Sequence, residues 1–160
     1  MAGKKEDKTN VCRVLDSKKA TYVFRSFDTD ETNGVALAAI LGQDPQRVFK
    51  TLVTVGKSKE HYVFVIPVAE ELDLKKAARV VGEKSIEMIP QKELLPLTGY
   101  VHGGCSPIGM KKFFKTTIHE SAKDFETIFF SAGKIGCQIE TALSELDKVI
   151  RYECADLISQ

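Results

Sequence analysis

The sequence predicts a single domain of the mixed α/β (α+β) class: a strongly curved mixed sheet with helices packed outside it. Three observations carry this expectation. Short β-rich runs and helical runs interleave along the chain, with no repeat, low-complexity segment or linker. The strand connections read as hairpins rather than regular βαβ units; the clearest is GKSKE, a five-residue polar turn between two apolar runs. The chain has 160 residues, 43% hydrophobic and 28% charged, which is enough for one core without staples.

The elements follow in order. Asn10 is placed to cap a first helix whose Val11, Val14 and Leu15 recur at helical spacing, and TYVFRSF then gives a strand. Asn33 starts the helix GVALAAILG, which Gly42 ends. VFKTLVTV and HYVFVIPVA form the hairpin around GKSKE. Asp73 caps LKKAARVVG, closed by Gly82; SIEMI is a short strand, and PQKELLPLTG a short helix opened by proline. Beyond a glycine-rich stretch, KFFKTTIH, ETIFFSAG and GKIGCQIE read as strands. TALSELDKVI reads as a helix, and RYECADLISQ as a last strand with a frayed helical turn. The total is about seven strands and three or four helices over one domain, residues 1–160, with residues 1–8 a flexible solvated arm.

Composition excludes several classes. No apolar run approaches the ~18 residues of a membrane span, and no apolar h-region follows MAGKKEDKTN. Four scattered cysteines with no CxxC fit a reducing compartment, so the expected location is the cytoplasm. The net charge of +1 gives no general field for nucleic acid, and a partner of that kind must be engaged through local patches.

Two features call for a functional account. In VFKTLVTV, Phe49, Val53 and Val55 mark one face while Val48 and Leu52 mark the other, and Lys50 lies between those two. Such a lysine is either an edge-strand gatekeeper whose stem snorkels outward, or the wall of a pocket where low dielectric strengthens its hold on an anionic group. The stretch GYVHGGCSPIGMKK from Gly99 to Lys112 carries four glycines and lacks both phosphate-loop spacings. It is either a set of turns around Pro107, or a loop whose bare peptide N–H groups meet a carbonyl or carboxylate oxygen, with Lys111, Lys112 and Lys115 behind it for a phosphate backbone.

Other chemistry is weaker. His102 and Cys105 are three apart, but no second pair completes a metal site, and the intervening glycines preset no Cys–His geometry. His61 and His119 fall in strands, and Asp124, Glu126, Glu140 and Glu145 are spread over different elements. No conventional acid/base pair is evident.

An ordered set of short motifs then stands out: Phe49-Lys50-Thr51-Leu52, Asp73-Leu74-Lys75-Lys76, Thr98-Gly99-Tyr100, Gly103-Gly104-Cys105-Ser106-Pro107-Ile108-Gly109 and Ser131-Ala132-Gly133-Lys134. In this order and spacing, across nearly the whole chain, they resemble the YbaK/EbsC family of aminoacyl-tRNA deacylases, in particular its Cys-tRNA(Pro) branch. The resemblance implies a barrel-like mixed fold with surrounding helices, no metal or organic cofactor, and a tRNA 3′ end as partner, with prolyl-tRNA synthetase a further candidate; neither DNA nor a membrane is implied. It implies that Lys50 is the essential pocket lysine, that Gly103 and Gly104 form the catalytic glycine loop, and that Thr51 and Ser131 contact substrate. Lys111, Lys112 and Lys134 are the expected tRNA contacts.

Two departures are visible. Where many relatives carry Gly-Leu-Asp, this chain has Gly136-Cys137-Gln138, so a carboxylate has become a neutral amide. Glu31-Thr32-Asn33-Gly34 lacks an aromatic that relatives often have, with Phe27 or Tyr22 as substitutes in the wall. The implied reaction is attack by the thiol of a mischarged cysteine on its own ester. Two alternatives stand beside it: clearance of another small amino acid such as alanine from tRNA(Pro) by a bound water, and a non-catalytic module that binds tRNA ends or a synthetase.

Overall fold

Capping chemistry sets the helix ends. The computed structural model describes residues 8–159, so the arm expected over residues 1–8 lies, apart from Lys8, outside the described residues. Helix α1, Asn10–Ser17, is capped by Thr9 rather than Asn10: the Thr9 hydroxyl accepts from Cys12 N and donates to Ala132 O at 2.7 Å, tying the helix start to a distant loop. Asn33 and Gly42 bracket α2, Gly34–Leu41, while Asp73 and Gly82 bracket α3, Leu74–Val81, as the sequence predicts. A 3₁₀ turn, Gln91–Glu93, leads into α4, Leu94–Thr98, which ends at Gly99.

The strands are β1 Val23–Ser26, β2 Phe49–Gly56, β3 His61–Pro67, β4 Ile86–Met88, β5 Lys115–His119, β6 Ile128–Ser131, β7 Cys137–Thr141 and β8 Glu153–Ala155. The mixed strand arrangement expected is built as two sheets. Strands β1, β7 and β6 make an antiparallel three-stranded sheet, and β4-β2-β3-β5-β8 a mixed five-stranded one. The expected hairpin joins β2 and β3, pairing Lys50 with Ile66 and Thr54 with Tyr62. Val63 to Pro67 are all buried, as in a strand covered on both faces.

The sheets close over a shared core. Val53, Val63 and Ile118 of the larger sheet pack with Phe130 and Ile139 of the smaller and with Val11 and Leu15 of α1. Each such side chain contributes roughly 1.5–3 kcal/mol of transfer free energy. On the other face of β3, Phe64 and Ile66 meet Ala77 and Ala78 of α3. A small third cluster, Ala38, Val48, Val68 and Phe129, seats α2 against the far face of β6.

Two expectations at the C-terminal end fail. The helix over TALSELDKVI is one turn, α5 Leu143–Leu146, because Thr141 is spent in β7 and Ala142 offers no capping side chain. Among the described residues after β8 there is no frayed helical turn: Ile158 bridges Leu72, and the Lys76 ammonium donates to Ile158 O and pairs with Asp156 at 2.8 Å.

Candidate functional site

The candidate site lies where the two sheets separate. The even-numbered peptides of β2 bond to β3, as Val68 N–Val48 O shows, and the odd-numbered ones point to the opposite edge. That edge is covered by β4 at Thr54–Gly56 and is touched by β6 through the Val48–Phe129 bridge, but the register of neither reaches Thr51. Beside this gap is a cavity of about 300 Å³. Lys50 and Thr51 form one wall, Ser131 and Gln138 a second, Gly34, Leu37 and Leu41 of α2 a third, and His102, Gly103 and Cys105 the rim.

Both faces of β2 are apolar, and Lys50 is half-buried between Val48 and Leu52. Burial holds its ammonium below the ordinary lysine value, with the Glu71 carboxylate pulling the other way. Among the described residues that line the cavity there is no carboxylate, and Lys50 is the lysine. The Thr51 hydroxyl is buried there without a hydrogen-bond partner among the described residues. The Ser131 Oγ accepts from Gly133 N at 3.0 Å and keeps its own proton to donate.

The glycine-rich stretch divides its work. Gly103 has φ +87° on the cavity rim, where a Cβ would stand 2.6 Å from Thr32 Cγ2. Gly104 is not on the lining. It is buried, its amide donates to Val101 O at 2.9 Å, and a Cβ there would meet Ile135 N at 3.2 Å. Its amide is therefore spent inside the loop, against the expectation that both glycines offer theirs. Gly109 makes room for the Tyr100 hydroxyl, which donates to Ile108 O.

Other expected residues sort by place. Phe27 lines the cavity, whereas Tyr22 does not: its hydroxyl donates to Asp16 on the outside of α1 and its ring stacks under Lys8, because α1 rather than α2 covers that end of β1. Lys111 lies along Gly99 and donates to Pro96 O at 3.3 Å; Lys112 is exposed, and so is Lys134, directly before the Ile135 backbone that Gly104 packs on. Burial pushes the Cys105 thiol up to about 12, far from a reactive thiolate. His102 is exposed at the mouth, and no group of three or more His, Cys, Asp or Glu side chains gathers for a metal among the described residues. His61 packs on Phe114, and His119 accepts from Leu157 N.

The α2 wall and Gln43 escape sequence reasoning. The 3- and 4-residue spacing of Gly34, Leu37 and Leu41 is the signal for the wall. Gln43 carried none; it bonds Gln138 across the gap.

This fold belongs to a known class. A model of the aminoacyl-tRNA editing domain family matches residues 31–149, and the chain belongs to that family. It is similar to EbsC of Enterococcus faecalis, a candidate Cys-tRNA(Pro)/Cys-tRNA(Cys) deacylase, at 47% identity over 163 aligned positions covering 100% of this chain and 99% of that protein. Two crystal structures share the fold. One, of a hypothetical protein, has a TM-score of 0.87 at 19% identity, covering 94% of this chain and 100% of the other. The second, of a candidate trans-editing enzyme for prolyl-tRNA synthetase, has a TM-score of 0.81 at 22% identity, covering 96% and 100%. No helix among the described residues is long and apolar enough to cross a membrane.

Proposed function

We propose that this protein is a trans-editing deacylase that clears cysteine from Cys-tRNA(Pro), and from Cys-tRNA(Cys), in translation quality control. The observation that carries the reading is a cavity walled by a partly desolvated lysine, hydroxyls and amides, with no carboxylate among its described lining residues and with a Cys105 thiol held protonated. Such a site supplies orientation and positive charge, and leaves the nucleophile to the substrate.

In the reaction this supports, the cysteine thiolate sulfur attacks its own ester carbonyl carbon. An S–C bond forms, the carbon–oxygen bond to the terminal ribose breaks, and the ribose oxygen takes a proton as it leaves. The four-membered thiolactone then opens with water to free cysteine. Lys50 stabilises negative charge on the carbonyl or ribose oxygen, and Gly103 brings a bare peptide close to the ester. Thr51, Ser131 and Gln138 contact the aminoacyl group, with Phe27 closing the wall. Lys111, Lys112 and Lys134 take acceptor-end phosphates, and prolyl-tRNA synthetase is the fitting partner.

A turnover panel tests this reading. tRNA charged with cysteine should be cleared, while serine- and alanine-charged tRNA and S-methylcysteine-charged tRNA are spared. A thiol is a few per cent ionised at neutral pH and a hydroxyl essentially not at all. Equal loss of cysteine and serine would mean that water is the nucleophile; binding without ester loss would mean a non-catalytic module.

A further inference from the structure

We propose that Gln43 is a positioning residue of the cavity, fixing through a reciprocal amide pair which atoms Gln138 presents to the aminoacyl group. The inference rests on the deacylase reading above and adds a residue outside its contacts. Gln43 follows the Gly42 cap of α2, and its backbone N–H donates to Ala38 O at 2.8 Å, so the helix end anchors it. Its Nε2 donates to Gln138 Oε1 at 2.8 Å, and Gln138 Nε2 donates back to Gln43 Oε1 at 2.8 Å.

A primary amide has two N–H donors and two acceptor lone pairs. The pair uses one of each on both sides, which leaves Gln138 one N–H and one lone pair for a ligand. Gln138 is 5% exposed and lines the cavity. If one amide turned over alone, oxygen would face oxygen and nitrogen would face nitrogen, and a buried group would lose both bonds; the two orientations are therefore fixed together.

The other neighbours of Gln138 are engaged elsewhere. Arg25, paired with it on β1, reaches Glu140 at 2.7 Å, and Arg47 reaches the same carboxylate at 3.0 Å. Ser131, paired with it on β6, accepts from Gly133 N. Among the described residues Gln43 is the only side chain bonded to Gln138. A neutral, two-way amide held in one orientation thus stands at the position where a carboxylate would bring charge and only acceptors.

The test compares wild type, Gln43→Ala and Gln43→Glu. The Gln138 side-chain amide is followed by ¹⁵N NMR without substrate, and clearance of cysteine-charged tRNA is measured from pH 5 to 8. In Gln43→Ala the Gln138 amide signals should move to positions of a freely rotating amide. kcat/KM on cysteine-charged tRNA should fall about 10-fold, the effect of leaving one buried hydrogen-bonding group unpaired. A protonated carboxyl offers one O–H and one carbonyl, as an amide edge does, whereas an ionised one offers only acceptors. Gln43→Glu, ionised above its ordinary value of about 4.3, should therefore fall below the wild-type rate across pH 5 to 8.

Unmoved Gln138 signals in Gln43→Ala, or moved signals with unchanged kcat/KM, would overturn the proposal. If Gln43→Ala does not fold, a Gln43→Glu variant that clears cysteine at the wild-type rate across pH 5 to 8 overturns it as well. A wild-type protein that clears no cysteine refutes the deacylase reading instead, and the NMR comparison still decides whether Gln43 holds Gln138.

Discussion

Lys50→Met separates the catalytic use of the ammonium from its cost to the fold. Methionine keeps an unbranched apolar stem between Val48 and Leu52 and removes only the charge. Removing one preorganised partner of a developing oxyanion costs about 10²–10³-fold in kcat, or roughly 2.7–4 kcal/mol. Stability should move the other way. Burial lowers the Lys50 pKa in the folded state, so between the folded and unfolded values the unfolded chain binds more protons, and stability rises with pH through that window. Below that window the charged lysine is a net cost to folding, which methionine relieves. The assay is release of labelled cysteine from Cys-tRNA(Pro), alongside thermal unfolding at pH 7. The variant should unfold at the wild-type temperature or above it and turn over at least 10²-fold more slowly. Wild-type turnover would refute the role of the ammonium, and a lowered unfolding temperature would refute the argument that its burial is a cost.

Gly103→Val forces a branched residue into a left-handed conformation with its Cβ 2.6 Å from Thr32 Cγ2; a loss of about 1–3 kcal/mol in stability and a larger loss of turnover should be read from denaturant unfolding and kinetics. Near-normal turnover would make the rim of the cavity structural only. Cys105→Ser should keep the wild-type deacylation rate within about twofold, since a thiol near 12 supplies almost no thiolate at neutral pH; a folded, inactive variant would restore Cys105 as the nucleophile. The Thr127 hydroxyl, then the Arg25 and Arg47 guanidiniums, hold the Glu140 carboxyl below its ordinary value of 4.5, so its stabilisation is present above that pH and is lost as pH falls through the folded value. Glu140→Gln should flatten the acid limb of the melting temperature between about pH 5 and pH 2, and an unchanged limb would show that other carboxylates dominate.

Where residues act locally, the sequence is a faithful guide. The Asn33 and Asp73 caps, the glycine stops and the GKSKE hairpin follow from side-chain hydrogen bonds and turn geometry within a few residues. Lys50 on a doubly apolar strand is legible for the same reason, because alternation shows the conflict without any knowledge of its neighbours. What is illegible depends on distant partners. Tyr22 looks like a wall residue until Asp16 is seen to hold its hydroxyl, and Gly104 looks like an oxyanion donor until Val101 is seen to take its amide. The one-turn α5 reflects competition between strand β7 and a helix for Thr141, which periodicity alone does not resolve. Gln43 has no local signal, since a glutamine after a helix cap is ordinary until its partner 95 positions away is known.

The split of the sheets at β2 makes the molecule mechanically uneven. Around Thr51 the two sheets are stitched by the Val48–Phe129 bridge, whereas Lys50 is held in the β2–β3 ladder on its other edge. A load that pushes the walls apart there strains that bridge, the Arg47 contacts with Thr127 and Glu140 and the Gln43–Gln138 pair, and leaves every rung that positions Lys50 in place. Any change in the width of the cavity is thus opposed by a few long-range side-chain bonds, while the charge stays where it is. Leu37 and Leu41 of the α2 wall bound the space that such a change would open.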